Sequence, residues 1–393
     1  MAGCAPRAQL VLVPEALSAS GDIRQIFIGT SRINDPQIGF GADRTTQLAF
    51  ARYDISVPPN RSLGQISWPG RQVDPETQFV ATAKTLYPEA GAFRQGLRVA
   101  LQALPPGKRE AILYVHGFNN TFADGVLRIS QMAHDFGFNG VAVHYSWPSA
   151  GNPLGYAYDR DSVLYSRDGL EELIRQVKGA GAERVVLVAH SVGSLLVMET
   201  LRQMAVANPG SVGHQIEGVV LISPDIDVDV FRSQVARIGK LPDPFGIFIS
   251  KRDRALSLSA RLTGQRNRLG NVESVDQVAD LEVTVIDVTG FSRGSGHFTA
   301  GSSPAVISIF AQAGDLEAAF KGDNAGRTGL FPGTVLTVQN ATTIILSPVT
   351  ELLRCGQPNT PPCFAGDGQS SAQPPAQSAL PPPPPSEVSS ALP

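Results

Sequence analysis

Arg184-Val-Val-Leu-Val-Ala189-His190-Ser191-Val192-Gly193-Ser194-Leu-Leu-Val-Met-Glu-Thr-Leu-Arg202 changes its pattern at a single serine. Before Ser191 the run is continuously apolar and rich in β-branched residues, as a strand buried on both faces would be. After it, the apolar spacing becomes that of a helix. The serine is flanked at two residues' distance by Ala189 and Gly193. A strand that turns sharply into a helix strains the residue at the corner and leaves little room for side chains two positions away. The hydroxyl of Ser191 would then project above a sheet, over the positive end of a helix.

Outward from this segment the chain alternates strand-like and helix-like runs. Apolar runs lie at 23–28, 112–115, 141–145, 185–188, 219–222, 247–249 and 283–288, and an early antiparallel strand is predicted over 48–57. Amphipathic stretches lie between most of them, at 124–136, 162–177, 194–207 and 305–320. The alternation predicts an α/β protein with a mostly parallel central sheet covered by helices on both faces, the α/β-hydrolase fold. Its domain is expected over 23–320, after an N-terminal segment at 1–22. Residues 321–357 form an apolar extension, interrupted by Pro332, Gly333 and Pro348, that packs on the core or lies on a membrane surface. Core packing is the preferred reading. From 358 to 393 the chain is dominated by Pro, Ser, Gln and Ala, with prolines from Pro381 to Pro385, and is expected to be disordered.

Of 393 residues, 42% are hydrophobic and 17% charged, so a large core is affordable and wholesale disorder is excluded. A formal net charge of −3 with no basic run gives no electrostatic case for nucleic acid. No apolar stretch reaches the ~20 residues of a membrane-spanning helix. Met1-Ala2-Gly3-Cys4 matches the end of a bacterial lipoprotein signal without its apolar segment. A membrane tether through Cys4 with export, and an incidental cysteine in a cytoplasmic protein, stand as equal readings. Cys355 and Cys363 close a short Pro-rich loop, as a disulfide pair in an oxidising compartment or as two free thiols.

The remaining chemistry follows from the order of elements. Ile112-Leu-Tyr-Val-His116-Gly117-Phe118 is a strand ending in His-Gly, where this fold places its oxyanion hole. Gly117 would let the backbone turn so that the N–H of Phe118 faces Ser191, with the N–H of Val192 as second donor. Among six histidines, only His297 follows the last strand, within Ser292-Arg-Gly-Ser-Gly-His297, and it is the expected base. Asp253 follows the strand at 247–249 and is the first candidate for the acid. Its neighbours Lys251, Arg252 and Arg254 would favour its ionised form. Asp225, heading the run Asp225-Ile-Asp-Val-Asp229, is the alternative acid. That run is not a calcium loop, because Val230 and Ala236 stand where Gly and Glu are needed. Gly179-Ala-Gly-Ala182 precedes a strand and is not a dinucleotide loop. No cofactor and no metal are expected. Residues 147–167, rich in Gly, Pro and Tyr, line the acyl pocket or merely connect elements.

Phe27-Ile-Gly-Thr-Ser-Arg32, Val115-His-Gly-Phe-Asn119, Trp147-Pro-Ser149, Ala189-His-Ser-Val-Gly193, Asp225-Ile-Asp-Val-Asp229 and Gly296-His297, in that order, resemble the bacterial α/β-hydrolase family of unknown function number nine hundred. The resemblance spans roughly 23–320. It implies an esterase- or lipase-like hydrolase with a triad of Ser191, His297 and Asp253, acting on a small-molecule or lipid ester, and it names no substrate. A retired hydrolase serving as an envelope-tethered binding module, and an amide or thioester hydrolase, are the competing readings. Oligomeric state is not legible.

Overall fold

The computed structural model describes residues 9–14, 21–36, 39–70, 72–264, 268–292, 294–313, 333–338 and 341–346. Cys4, Cys355, Cys363 and the proline-rich tail lie outside them. The described strands are β1 (Asp22–Asp35), β2 (Gly39–Val57), β3 (Val80–Tyr87), β4 (Glu110–Val115), β5 (Val141–Ser146), β6 (Arg184–His190), β7 (Gly218–Ile222), β8 (Phe245–Ile249), β9 (Thr284–Asp287), β10 (Gly333–Val338) and β11 (Ala341–Leu346). The helices are α1 (Ala90–Gln102), α2 (Phe122–Asp135), α3 (Tyr156–Tyr165), α4 (Arg167–Gly179), α5 (Val192–Ala207), α6 (Ser211–Gln215), α7 (Val228–Ile238), α8 (Arg254–Leu262), α9 (Thr299–Ser302) and α10 (Pro304–Ala313).

The strands form one sheet in the order β10-β11-β9-β8-β7-β6-β4-β5-β1-β2-β3. From β11 through β1 every neighbouring pair is parallel. Antiparallel strands close both ends: β10 at one, β2 and β3 at the other. This is the α/β-hydrolase fold, a mostly parallel sheet flanked by helices.

Successive side chains of the inner strands feed two separate cores, as a pleated strand with both faces covered must. On β6, Val185, Leu187 and Ala189 enter one core with α1, α4 and α5. Val186 and Val188 enter the other, with α2 and α10. The order reverses beside β4, which has β5 on one side and β6 on the other. Ligands of open α/β sheets bind outside the carboxyl ends of the strands at such a reversal.

The run at 162–177 is not one helix. It is split between α3 and α4 at Ser166, whose carbonyl accepts the Tyr145 hydroxyl at 2.9 Å. From the apolar extension, 341–346 adds to the sheet beside β9 in parallel register and 333–338 pairs with it as a hairpin. No helix among the described residues is long and apolar enough to cross a membrane.

Candidate active site

Ser191 sits between β6 and α5 with φ 53° and ψ −125°. A non-glycine residue held there costs on the order of 1–3 kcal/mol and needs outside support. Its N–H donates to the Ile222 carbonyl at 3.0 Å, and its own carbonyl accepts the N–H groups of Ser194 (3.0 Å) and Asp225 (3.2 Å). Gly193 has no room for a side chain: a Cβ would lie 2.3 Å from the His116 carbonyl oxygen. The small residue is therefore demanded by contact with the end of β4.

Ser191 Oγ lies 3.0 Å from Nε2 of His297, and His297 Nδ1 lies 2.8 Å from Oδ2 of Asp253. Three loops that are far apart in sequence, after β6, β8 and β9, supply these groups at one edge of the sheet. Asp253 is fully buried and caps α8, with Oδ1 accepting the Leu256 N–H at 3.0 Å. The basic neighbours of Asp253 point to other partners or to solvent. Lys251 faces Asp287 at 3.8 Å, and Arg252 and Arg254 are exposed. What holds the carboxylate is the first turn of α8 together with the imidazole. The Arg254 N–H donates to the Ser295 carbonyl at 3.0 Å, tying the acid's helix to the histidine's loop.

The turn after β4 packs directly on the serine. A Cβ at Gly117 would come 2.8 Å from His190 Nδ1 and 2.9 Å from Ser191 Cβ. Glycine is needed there for this close approach. The left-handed residue of the turn is Asn119 (φ 58°), not Gly117. The N–H groups of Phe118 and Val192 donate to no group among the described residues. His116 is fully buried, and its ring stacks on Trp147 with centroids 4.8 Å apart. Trp147 Nε1–H donates to the His116 carbonyl at 2.7 Å. Burial, then the Arg32 charge and the neighbouring His144 ring, push the His116 pKa well below its usual value, so the ring is neutral.

Two charged residues outside the expected set brace this turn. Arg32 is buried and donates to the carbonyls of Gly41 (2.7 Å), Asn120 (2.9 Å) and Ser149 (3.1 Å) and to the Ser146 hydroxyl (3.0 Å). Burial lowers its pKa to about 10, against the pull of Asp159 and Asp124. Asp159 of α3 accepts the N–H of Asn119 (3.1 Å), the N–H of Ala150 (2.7 Å) and the Ser149 hydroxyl (2.6 Å). Burial raises its pKa in spite of these bonds. Arg32 belonged to the quoted motif at 27–32. Asp159 carried no local signal, because its partners lie on other loops.

Asp225 does not reach His297. Its carboxylate accepts the Ser259 hydroxyl (2.7 Å) and the Tyr156 hydroxyl (2.9 Å), and pairs with buried Arg268 at 3.1 Å. Beside it opens a pocket of about 360 Å³ lined by Arg160, Leu195, Asp225, Ile226, Asp227, Val230, Thr263 and Arg268. The Tyr156 ring also meets the ring of Phe118, with centroids 5.4 Å apart. Tyr158 faces away, its hydroxyl donating to the Ala42 carbonyl at 2.9 Å.

Residues 96–313 match the family described as alpha/beta hydrolase of unknown function (DUF900). This chain belongs to that family. No curated protein matches it. Among solved structures it is similar to Aspergillus fumigatus lipase B, with 13% identity, TM-score 0.34, and 58% of each chain covered. The match thus spans little more than half of that lipase. It is also similar to an esterase from Pyrococcus furiosus (12% identity, TM-score 0.32, 82% of this chain and 96% of that one). A third similarity is to one of two fungal esterases from Rhizomucor miehei (14%, 0.34, 78% and 88%).

In this member of the DUF900 family, a hydroxyl, an imidazole and a buried carboxylate stand in one hydrogen-bonded line. Such a line can take a proton from the hydroxyl and stabilise the resulting imidazolium. Among the described residues no group of His, Cys, Asp or Glu gathers as a metal site would require.

Proposed function

We propose that this chain is a serine hydrolase that cleaves carboxylic esters through an acyl-enzyme. The observation that carries the reading is the pair of contacts at His297: Nε2 to Ser191 Oγ at 3.0 Å and Nδ1 to Asp253 Oδ2 at 2.8 Å. A carboxylate can only accept, so Nδ1 bears the proton and Nε2 is free to take one. As Ser191 Oγ attacks the ester carbonyl, its proton passes to His297 Nε2. The carbonyl oxygen becomes an oxyanion, for which the unengaged N–H groups of Phe118 and Val192 are the donors. Collapse breaks the bond to the alcohol, which leaves with the proton from Nε2. Water then repeats the sequence on the acyl-serine and releases the acid.

Hydrolysis of p-nitrophenyl butyrate by wild type and by Ser191→Ala tests this. Turnover is expected to fall by roughly 10⁶-fold. Equal turnover by the two proteins would refute the assignment.

A further inference from the structure

One side chain packed on His297 takes no part in the reaction itself. His190, next to the serine, is buried, and its Nε2 lies 3.3 Å from the backbone oxygen of His297. A carbonyl only accepts, so Nε2 carries the proton and Nδ1 is bare. The bare Nδ1 side faces Gly117, where an added Cβ would approach to 2.8 Å. The ring packs against His297 (centroids 4.8 Å apart) and edge-on against Phe298 (4.6 Å). The Arg128 guanidinium covers the other ring of that pair, 4.6 Å from the Phe298 centroid. His190 is thus wedged between the turn after β4 and the loop that carries His297.

Among the described residues, two backbone carbonyls just before His297 are also held. Ser295 is held through its carbonyl by the Arg254 N–H, and the Gly296 carbonyl accepts the Thr299 hydroxyl at 3.1 Å. Between them Gly296 adopts φ 69°, and the lack of a side chain leaves its backbone free to take other directions. Fixing the carbonyl of His297 fixes the direction in which its side chain leaves the loop.

We propose that His190 is a positioning residue: its Nε2–H holds the His297 backbone where the imidazole reaches Ser191. This rests on the ester-hydrolase reading. Burial, followed by the neighbouring His297 and Arg128, keeps the His190 pKa well below its usual value. The ring therefore adds no positive charge beside an imidazole that must itself become cationic during turnover.

The test compares wild type, His190→Gln, His190→Phe and His190→Leu with p-nitrophenyl butyrate, recording kcat, KM, the rate of fluorophosphonate inactivation and the thermal midpoint. The Gln side chain offers an N–H donor, whereas Phe and Leu offer none. A misplaced reacting group can cost about 10²-fold. The Phe and Leu variants are expected to lose about that much in kcat and in inactivation rate, with KM little changed. His190→Gln is expected to recover most of the loss. Folded Phe or Leu variants as fast as wild type would overturn the proposal. So would a Gln variant as slow as they are, or a loss confined to KM. If Phe prevents folding, Leu carries the comparison, with Gln as its reference. An active Ser191→Ala protein is a different outcome, which removes the underlying reaction.

Discussion

Asp253 divides its two carboxylate oxygens, Oδ2 to His297 Nδ1 at 2.8 Å and Oδ1 to the Leu256 N–H at 3.0 Å. Asp225, one strand earlier, is committed to Arg268, Tyr156 and Ser259. Substituting the two therefore separates chemistry from stability. Asp253→Asn should cost roughly 10⁴-fold in kcat, because an amide cannot hold the same imidazole tautomer. Asp225→Asn should leave kcat per folded molecule nearly intact while costing about 3–5 kcal/mol, because it strands a buried guanidinium. Steady-state kinetics and urea unfolding of both variants check this. The reverse assignment of the two effects would contradict it.

Asp159 braces the turn that carries Phe118 by accepting the Asn119 N–H at 3.1 Å. Asp159→Asn puts a donor where three donors converge, so at least one bond must be lost. Removing an oxyanion donor outright costs about 10²–10³ in kcat, and displacing one should cost somewhat less, about 10–10². KM should change little. A variant with unaltered kcat would show that the turn holds its shape without Asp159.

The sharp turn at Ser191 was legible in the sequence because its constraints are local. Gly193 must be small because the His116 carbonyl lies where its Cβ would be. The inner strands were legible as apolar runs because both faces of the sheet are covered. β3 and α1 went unread: β3 (VATAKTLY) mixes buried and exposed positions at the sheet's edge. The break at Ser166 was also invisible, since it coincides with a bond from Tyr145 on another element. The pairing of 341–346 with β9 is equally non-local. At the site, the order of strands picked out Ser191, His297 and Asp253 as neighbours. Asp159 and the contact of His190 with His297 depend on distant loops meeting.

Acid should weaken the fold earlier than carboxylate titration would. His144 is fully buried, donates from Nδ1 to the Tyr114 carbonyl at 3.1 Å, and has no partner at Nε2. Burial lowers its pKa from 6.5 to about 3; the Tyr114 bond opposes this and the Arg32 charge adds to it. Between these values the unfolded chain binds the proton and the folded chain does not. Stability from this group is therefore full above pH 6.5 and declines as pH falls towards 3, by up to about 1.4 kcal/mol per pH unit. Urea unfolding at a series of pH values should show this slope on top of those from buried His116 and His190, and His144→Leu should lessen the total by the His144 share. An unchanged slope in the variant would contradict the assignment.

The pocket beside Asp225 carries Arg160, Asp227, Thr263 and Arg268 on its wall and only Leu195, Ile226 and Val230 as apolar lining. A long acyl chain that entered this pocket would strip those polar groups of water without replacing its hydrogen bonds. Butyryl esters should therefore be hydrolysed with higher kcat/KM than palmitoyl esters. A chain-length series of p-nitrophenyl esters measures this, and a kcat/KM that rises with chain length would contradict it.

The most direct measurement is where a fluorophosphonate attaches. Peptide mapping of the labelled protein by mass spectrometry should find one adduct, on Ser191, and its formation should slow sharply in His297→Ala. An unlabelled protein, or an adduct on another residue with Ser191 untouched, would contradict the account.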